Sequence, residues 1–244
     1  MKTAVRNLIL AAAGMAGAVG AQAALVNRGG GMIYDTELNI TWLQDWNYAK
    51  TSGHTGTGVS ATGRMTWNAG KQWAENLVYG GFSDWRLPTM VDTGAPGCDF
   101  SYAGGTDCGY NVQTKVGNTV YSEMAHLYYE TLRNKALCTP GDAVCNSVQP
   151  GWGLVNTGPF TNMQSVDYWS GLEYAPVAGD AWVFGTDVGY QNGVSQGNAL
   201  YVVAVRPGDV TASVPEPQSL ALVLLAAAGA VVATRRRAHG SSAL

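Results

Sequence analysis

The chain has 244 residues, with 14 Lys and Arg against 17 Asp and Glu, for a formal charge of −3. Between residues 24 and 212 there are nine basic and sixteen acidic residues, a net charge of −7. An acidic stretch of this length is the size of one domain and argues against nucleic acid or anionic lipid as a partner, while it suits calcium or neutral glycans.

In chain order the first element is a leader. Lys2 and Arg6 supply positive charge, an apolar run follows from Leu8 to Val19, and Ala21-Gln22-Ala23 forms a small-x-small site. The run falls short of the roughly 20 residues that span a bilayer, so the pattern predicts a signal peptide over 1–23, cleaved between Ala23 and Ala24. Export through the Sec machinery would put the rest of the chain in an oxidising compartment.

The domain over 24–212 opens with two short strands, 32–35 and 40–43, around the polar turn Thr36-Glu37-Leu38-Asn39. Residues 50–63 are rich in Gly, Thr and Ser and read as an exposed loop. A helix is predicted over 66–79, with Trp67, Gly70, Trp73, Ala74, Leu77 and Val78 on one face. Thr66 would cap its start and Gly80-Gly81 would end it in the left-handed conformation. An insertion over 92–118 carries Cys98 and Cys108. A second helix follows over 122–134, capped by Ser122, and then a loop bounded by Cys138 and Cys145. Residues 146–165 are polar and glycine-rich. The last third reads as antiparallel sheet, with strands at 167–170, 181–185 and 199–206. Residues 189–193 form a turn-rich connection, and the third strand, apolar on both faces, is expected to be central. The class is α+β and loop-rich.

Four cysteines allow three connectivities. The local pairs Cys98–Cys108 and Cys138–Cys145 are favoured, since each closes a short loop rich in Gly, Pro and Asp. Zinc is the rival reading, but the spacings are not C-x-x-C and no histidine lies beside them.

The tail over 213–244 has three parts: Val214-Pro215-Glu216-Pro217, an apolar run from Leu220 to Ala233, and Arg235-Arg236-Arg237. The prolines make an extended, stiff segment that suits a protease cleft. The apolar run predicts a transmembrane helix at about 219–234, its end held on the cytoplasmic side by the arginines. This arrangement resembles the PEP-CTERM sorting signal. The resemblance implies processing by the membrane protease exosortase, in a Gram-negative bacterium that makes extracellular polysaccharide. Pro215, Glu216, Pro217, Arg235, Arg236 and Arg237 are then the signal.

Within the domain, several segments together resemble the DUF1566 family, also called the Lcl C-terminal domain. They are Tyr34-Asp35, Ile40-Thr41-Trp42, Met65-Thr66-Trp67, Gly81-Phe82-Ser83-Asp84-Trp85-Arg86-Leu87-Pro88, Tyr168-Trp169-Ser170, Ala181-Trp182-Val183-Phe184 and Val203-Ala204-Val205-Arg206. The resemblance implies a C-type-lectin-like, formylglycine-generating-enzyme-like fold, an irregular antiparallel sheet with two helices and long loops. The insertion over 92–118 departs from the family pattern. The active-site cysteines of formylglycine-generating enzymes have no counterpart here, which argues against an oxidase. One family branch is associated with glycosaminoglycan binding, which calls for basic residues that this acidic domain does not concentrate.

Catalytic patterns are sparse. There is no Gly-x-Ser-x-Gly elbow and no phosphate loop. His239 is in the tail, His54 in a loop, and His126 on the second helix reads as structural, so Ser170 has no base to activate it. Of the eight tryptophans, Trp42, Trp67, Trp73, Trp85, Trp169 and Trp182 read as core. Trp46 and Trp152 lie outside regular elements and are candidates for an exposed sugar-stacking face. Asp84 and Arg86 flank Trp85. They form either a structural pair, with a carboxylate holding Arg86 and Asp84 capping a turn, or a polar cluster on a ligand face. Asp180 and Asp187 bracket the 181–185 strand and open a calcium reading that no EF-hand spacing supports. No other metal or cofactor is expected. Three readings follow: a non-catalytic surface module for polysaccharide or another surface component, a structural surface protein without a specific ligand, and an enzyme on this fold.

Overall fold

Sheet formation begins one strand earlier than the sequence pattern predicts. In the computed structural model, which describes residues 25–93 and 104–210, β1 (Leu25–Gly29) pairs antiparallel with β2 (Met32–Asp35). The expectations for Ala23, Ala24, Cys98, the 219–234 helix, Pro215, Glu216, Pro217, Arg235, Arg236 and Arg237 lie outside the described residues. β2 and β3 (Ile40–Leu43) form the expected hairpin. Its turn is tight because the Asp35 carboxylate accepts the backbone N–H groups of Glu37 and Leu38, and Asn39 takes the left-handed conformation with φ 52°.

A single helical turn, α1 (Tyr48–Thr51), precedes the 52–63 loop, and α2 (Trp67–Glu75) follows it. Buried Trp67, Gly70, Trp73 and Ala74 make the inward face of α2. The helix stops at Asn76, short of the predicted end, and Thr66 flanks its start without a side-chain cap. Gly80 and Gly81 are left-handed as predicted, but they shape a separate turn in which Tyr79 and Phe82 bond each other. Two small pairings follow: β4 (Gly109–Tyr110), and a hairpin of β5 (Lys115–Val116) and β6 (Thr119–Val120).

The second helix is short and then widens. Ser122 caps α3 (Glu123–Ala125) by accepting the Ala125 N–H, and the chain continues as a π-helix over His126–Thr131. The wider turn keeps His126, Leu127 and Tyr128 all buried. Beyond it, Cys138 and Cys145 are joined, their Cα atoms 5.0 Å apart. Cys108 is also disulfide-bonded.

The C-terminal part contributes β7 (Asp167–Glu173), β8 (Asp180–Gly185), β9 (Tyr190–Ser195) and β10 (Val205–Pro207). One four-stranded sheet has the order β1-β2-β3-β10 and the other β4-β9-β8-β7, with every strand pair in them antiparallel. The class is therefore α+β, mostly antiparallel sheet with few short helices.

Two strand expectations need correction. Residues 189–193 are not a connection, because residues 190–195 are β9, paired along the whole of β8. Gly193 reads as a turn in sequence, yet it is a strand residue whose missing Cβ leaves room for the Tyr174 ring. The predicted strand over 199–206 is broken. Leu200 exchanges backbone hydrogen bonds with Met65, Tyr201 bridges Tyr168, and only at Val205 does the chain enter β10. It is not a central strand, since β10 ends the order of its sheet, but it is buried: Val202, Val203, Ala204 and Val205 are covered where the segment passes from one sheet to the other.

Candidate functional site

The family-like segments interlock as structure. Trp67 donates its indole N–H to the Ser170 carbonyl at 2.8 Å, and Trp169 donates to the Met65 carbonyl at 2.8 Å. Ser170 in turn donates its hydroxyl to the Pro88 carbonyl. Arg86 and Val205 exchange backbone hydrogen bonds. The Met-Thr-Trp, Arg-Leu-Pro, Tyr-Trp-Ser and Val-Ala-Val-Arg segments therefore form one hydrogen-bonded frame. Ser170 is buried in it and hydrogen-bonded to a carbonyl, which is a packing position.

The sequence-predicted site residues are dispersed. Trp46 is corrected: it is 1% exposed, stacked on Trp42 at 5.6 Å, with Phe160 and Tyr168 edge-on. Its position outside strands and helices suggested exposure, but aromatic packing claims it. Trp152 is exposed, at 42%, as expected. Asp84 and Arg86 do not form a pair. Asp84 makes a two-pronged pair with Arg206, at 2.8 and 2.9 Å, and Arg206 also lies over the Phe82 ring. Arg86 makes a two-pronged pair with Glu123, at 2.8 and 2.7 Å, and Glu123 also accepts the Thr89 N–H. Asp84 and Arg86 are thus each tied by an ion pair to a different element, Arg206 in β10 and Glu123 in α3, rather than left to face a common ligand.

Each anchor leaves an electrostatic mark. Hydrogen bonding to Arg206 holds the Asp84 carboxyl below the usual carboxylate range. Burial alone would lower the Arg86 pKa, but the Glu123 carboxylate reverses this and raises it.

Asp180 and Asp187 do not converge either, since Asp180 opens β8 and Asp187 follows its other end, with roughly 16 Å of strand between. Asp187 instead approaches Asp167. A Cβ on Gly185 would sit 2.8 Å from an Oδ1 of each. Burial, with the Asp187 charge added, raises the Asp167 pKa. Among the described residues no group of three or more His, Cys, Asp or Glu side chains is placed to hold a metal ion. His126 is 1% exposed, with Nε2 3.4 Å from the Glu37 carboxylate.

The concave feature with the most distinctive chemistry lies elsewhere, between α2 and the loop after α1. It is an open groove of about 450 Å³, within the roughly 300–1,000 Å³ typical of small-ligand sites. Tyr48, Ser52, His54, Thr55 and Thr57 line one wall, and Ala69, Gln72, Asn76 and Leu77 the other, with buried Trp73 beneath. The loop wall is tied down. Thr66 N–H bonds the Gly58 carbonyl, Val59 bridges Met65, and the Tyr48 ring meets Tyr79 edge-on at 4.9 Å. Gly58 is left-handed, and a Cβ there would lie 2.5 Å from the Thr66 hydroxyl, so only glycine lets the loop sit this close to the helix.

No Lys, Arg, Asp or Glu is among the described residues that line this groove. The Gln72 side-chain amide has no hydrogen-bond partner among the described residues, and Asn76 uses one N–H on the Gln72 carbonyl, leaving its oxygen free. A primary amide offers both donors and acceptors. Sequence reasoning did not single out Gln72 and Asn76. Their i, i+4 spacing on the outer face of the 66–79 helix, opposite a Ser/Thr/Gly-rich loop, is the signal that could have found them. A second cleft of about 430 Å³ is lined in part by Lys115, Glu130 and Lys135.

Comparison with family models, with curated proteins and with solved structures returns no match.

Proposed function

We propose that the chain is an exported, non-catalytic surface module that binds polysaccharide in the groove between α2 and the 52–59 loop. One observation carries this reading. The groove combines aromatic and aliphatic surface with hydroxyls and free amides and has no ionic side chain among its described lining. Such a surface matches a sugar, whose C–H faces are apolar and whose hydroxyls both donate and accept.

The resemblances to the DUF1566 domain and to the PEP-CTERM signal support the same reading. The first offers a lectin-like scaffold, and the second places the chain at the envelope of a polysaccharide-producing Gram-negative bacterium. In this reading Sec delivers the chain, the 219–234 helix holds it, and exosortase processes it at Pro215-Glu216-Pro217 before it joins the cell surface or matrix.

The test is retention of the secreted protein on the exopolysaccharide of its own host, with calcium and with a chelator. Retention is expected, and a double change of Gln72 and Asn76 to Ala should reduce it at least tenfold, about 1.4 kcal/mol. Trp152→Ala lies outside the groove and should leave retention intact. No retention under either condition rejects the binding function in favour of a structural surface protein. Loss with Trp152→Ala alone moves the site away from the groove.

A further inference from the structure

We infer that the groove selects uncharged glycans and rejects polyanionic ones, with Gln72 and Asn76 as the specificity-determining side chains. The inference rests on the polysaccharide reading above and adds the charge class of the ligand.

Three observations carry it. Among its described lining the groove has no Lys or Arg to pair with a carboxylate or sulfate, and no Asp or Glu to recruit a bridging cation. An anionic sugar entering it would lose hydration without gaining a partner, which is the costly case for a charge. The domain over 24–212 carries a net −7, so a polyanion is also repelled at range. The free acceptors and donors come from Gln72 and Asn76, one helical turn apart on one wall. Hydroxyls satisfy such amides, whereas a carboxylate, an acceptor only, leaves the Asn76 oxygen unmatched. His54 and Tyr48 are the titratable side chains in the lining, and His54 sits on the exposed loop wall.

The experiment uses the intact secreted chain in affinity electrophoresis against four neutral polymers: an α-glucan, a β-glucan, a mannan and a galactan. Each is run beside its carboxymethylated form. At least one neutral polymer should retard the protein, and its carboxymethylated partner should do so at least tenfold less. Retardation by the neutral polymer should not change between about 0.05 and about 0.5 M salt, since no ion pair is screened. Gln72→Ala and Asn76→Ala, both at exposed helix positions, should each weaken it several-fold while the circular dichroism stays native. Gln72→Lys should narrow the gap between neutral and carboxymethylated forms. Retardation by carboxymethylated polymers equal to or stronger than by neutral ones overturns the inference and leaves the binding reading standing. Retardation by no polymer of either kind removes both.

Discussion

Asp167 and Asp187 show how a single missing side chain organises charge. Both carboxylates crowd the space where a Cβ of Gly185 would be, and burial with the Asp187 charge raises the Asp167 pKa. A carboxyl whose folded pKa is raised takes up protons more readily in the folded state. Its ionisation therefore opposes folding above the unfolded pKa, and stability contributed by this site rises as pH falls through the folded value. Asp167→Asn should raise the urea midpoint at pH 7 and lose that advantage in acid. Asp84 has the opposite sign: Arg206 lowers its pKa, so its contribution holds above the unfolded value and is lost as pH falls through the folded one. The pair of Arg86 with Glu123 has more at stake, because the Glu123 side chain is only 7% exposed. Arg86→Ala strands that carboxylate and should cost on the order of 3 kcal/mol in urea unfolding. Trp46 and Trp152, expected alike and placed differently, separate in the same assay. Trp46→Ala removes a ring from a buried cluster of four and should cost about 3–5 kcal/mol, while Trp152→Ala should stay within about 0.5 kcal/mol.

At the scale of elements, α2 carries the argument from packing to site. Its inner face is built around Gly70, where a Cβ would lie 2.6 Å from a methyl of buried Val202. Alanine there gains about 1 kcal/mol in helix propensity but overpacks a filled core, which costs about 1–3 kcal/mol. Gly70→Ala should therefore lower the thermal midpoint, and it should also weaken glycan retention by tilting Gln72 and Asn76. The disulfide between Cys138 and Cys145 closes a short loop, so its loss by double Ser substitution should cost about 2 kcal/mol. These elements were unevenly legible in the sequence. The β2–β3 hairpin was readable because its polar turn and flanking apolar residues act locally. The inward face of α2 was readable from its 3.6-residue spacing. β9 was not, because a glycine that serves a tyrosine ring looks the same as a glycine that serves a turn. The break in 199–206 was hidden because a segment buried between two sheets is apolar whether or not it is a continuous strand.

For the whole molecule, the sequence marked the frame more readily than the site. The Trp-containing segments that stand out in it are those that must interlock, and their indole hydrogen bonds to distant carbonyls explain their prominence without any ligand. The groove is made of ordinary residues, Ser, Thr, Gln and Asn, whose meaning lies only in facing one another across a fold. Charged candidates such as Asp84, Arg86 and Asp187 drew attention by type, and the structure spends them on anchors and turns. What binds all scales together is the proposal that the domain works outside the cytoplasm, a compartment in which the disulfides of Cys108 and of Cys138 with Cys145 would persist. The most direct test is the intact mass of the protein recovered from its own host, read before and after alkylation. The account predicts a chain that begins at Ala24, has lost the apolar and arginine-rich end of its tail, and takes up no alkyl group on any cysteine. A full-length chain of 244 residues found inside the cell, with four alkylatable thiols, would contradict it.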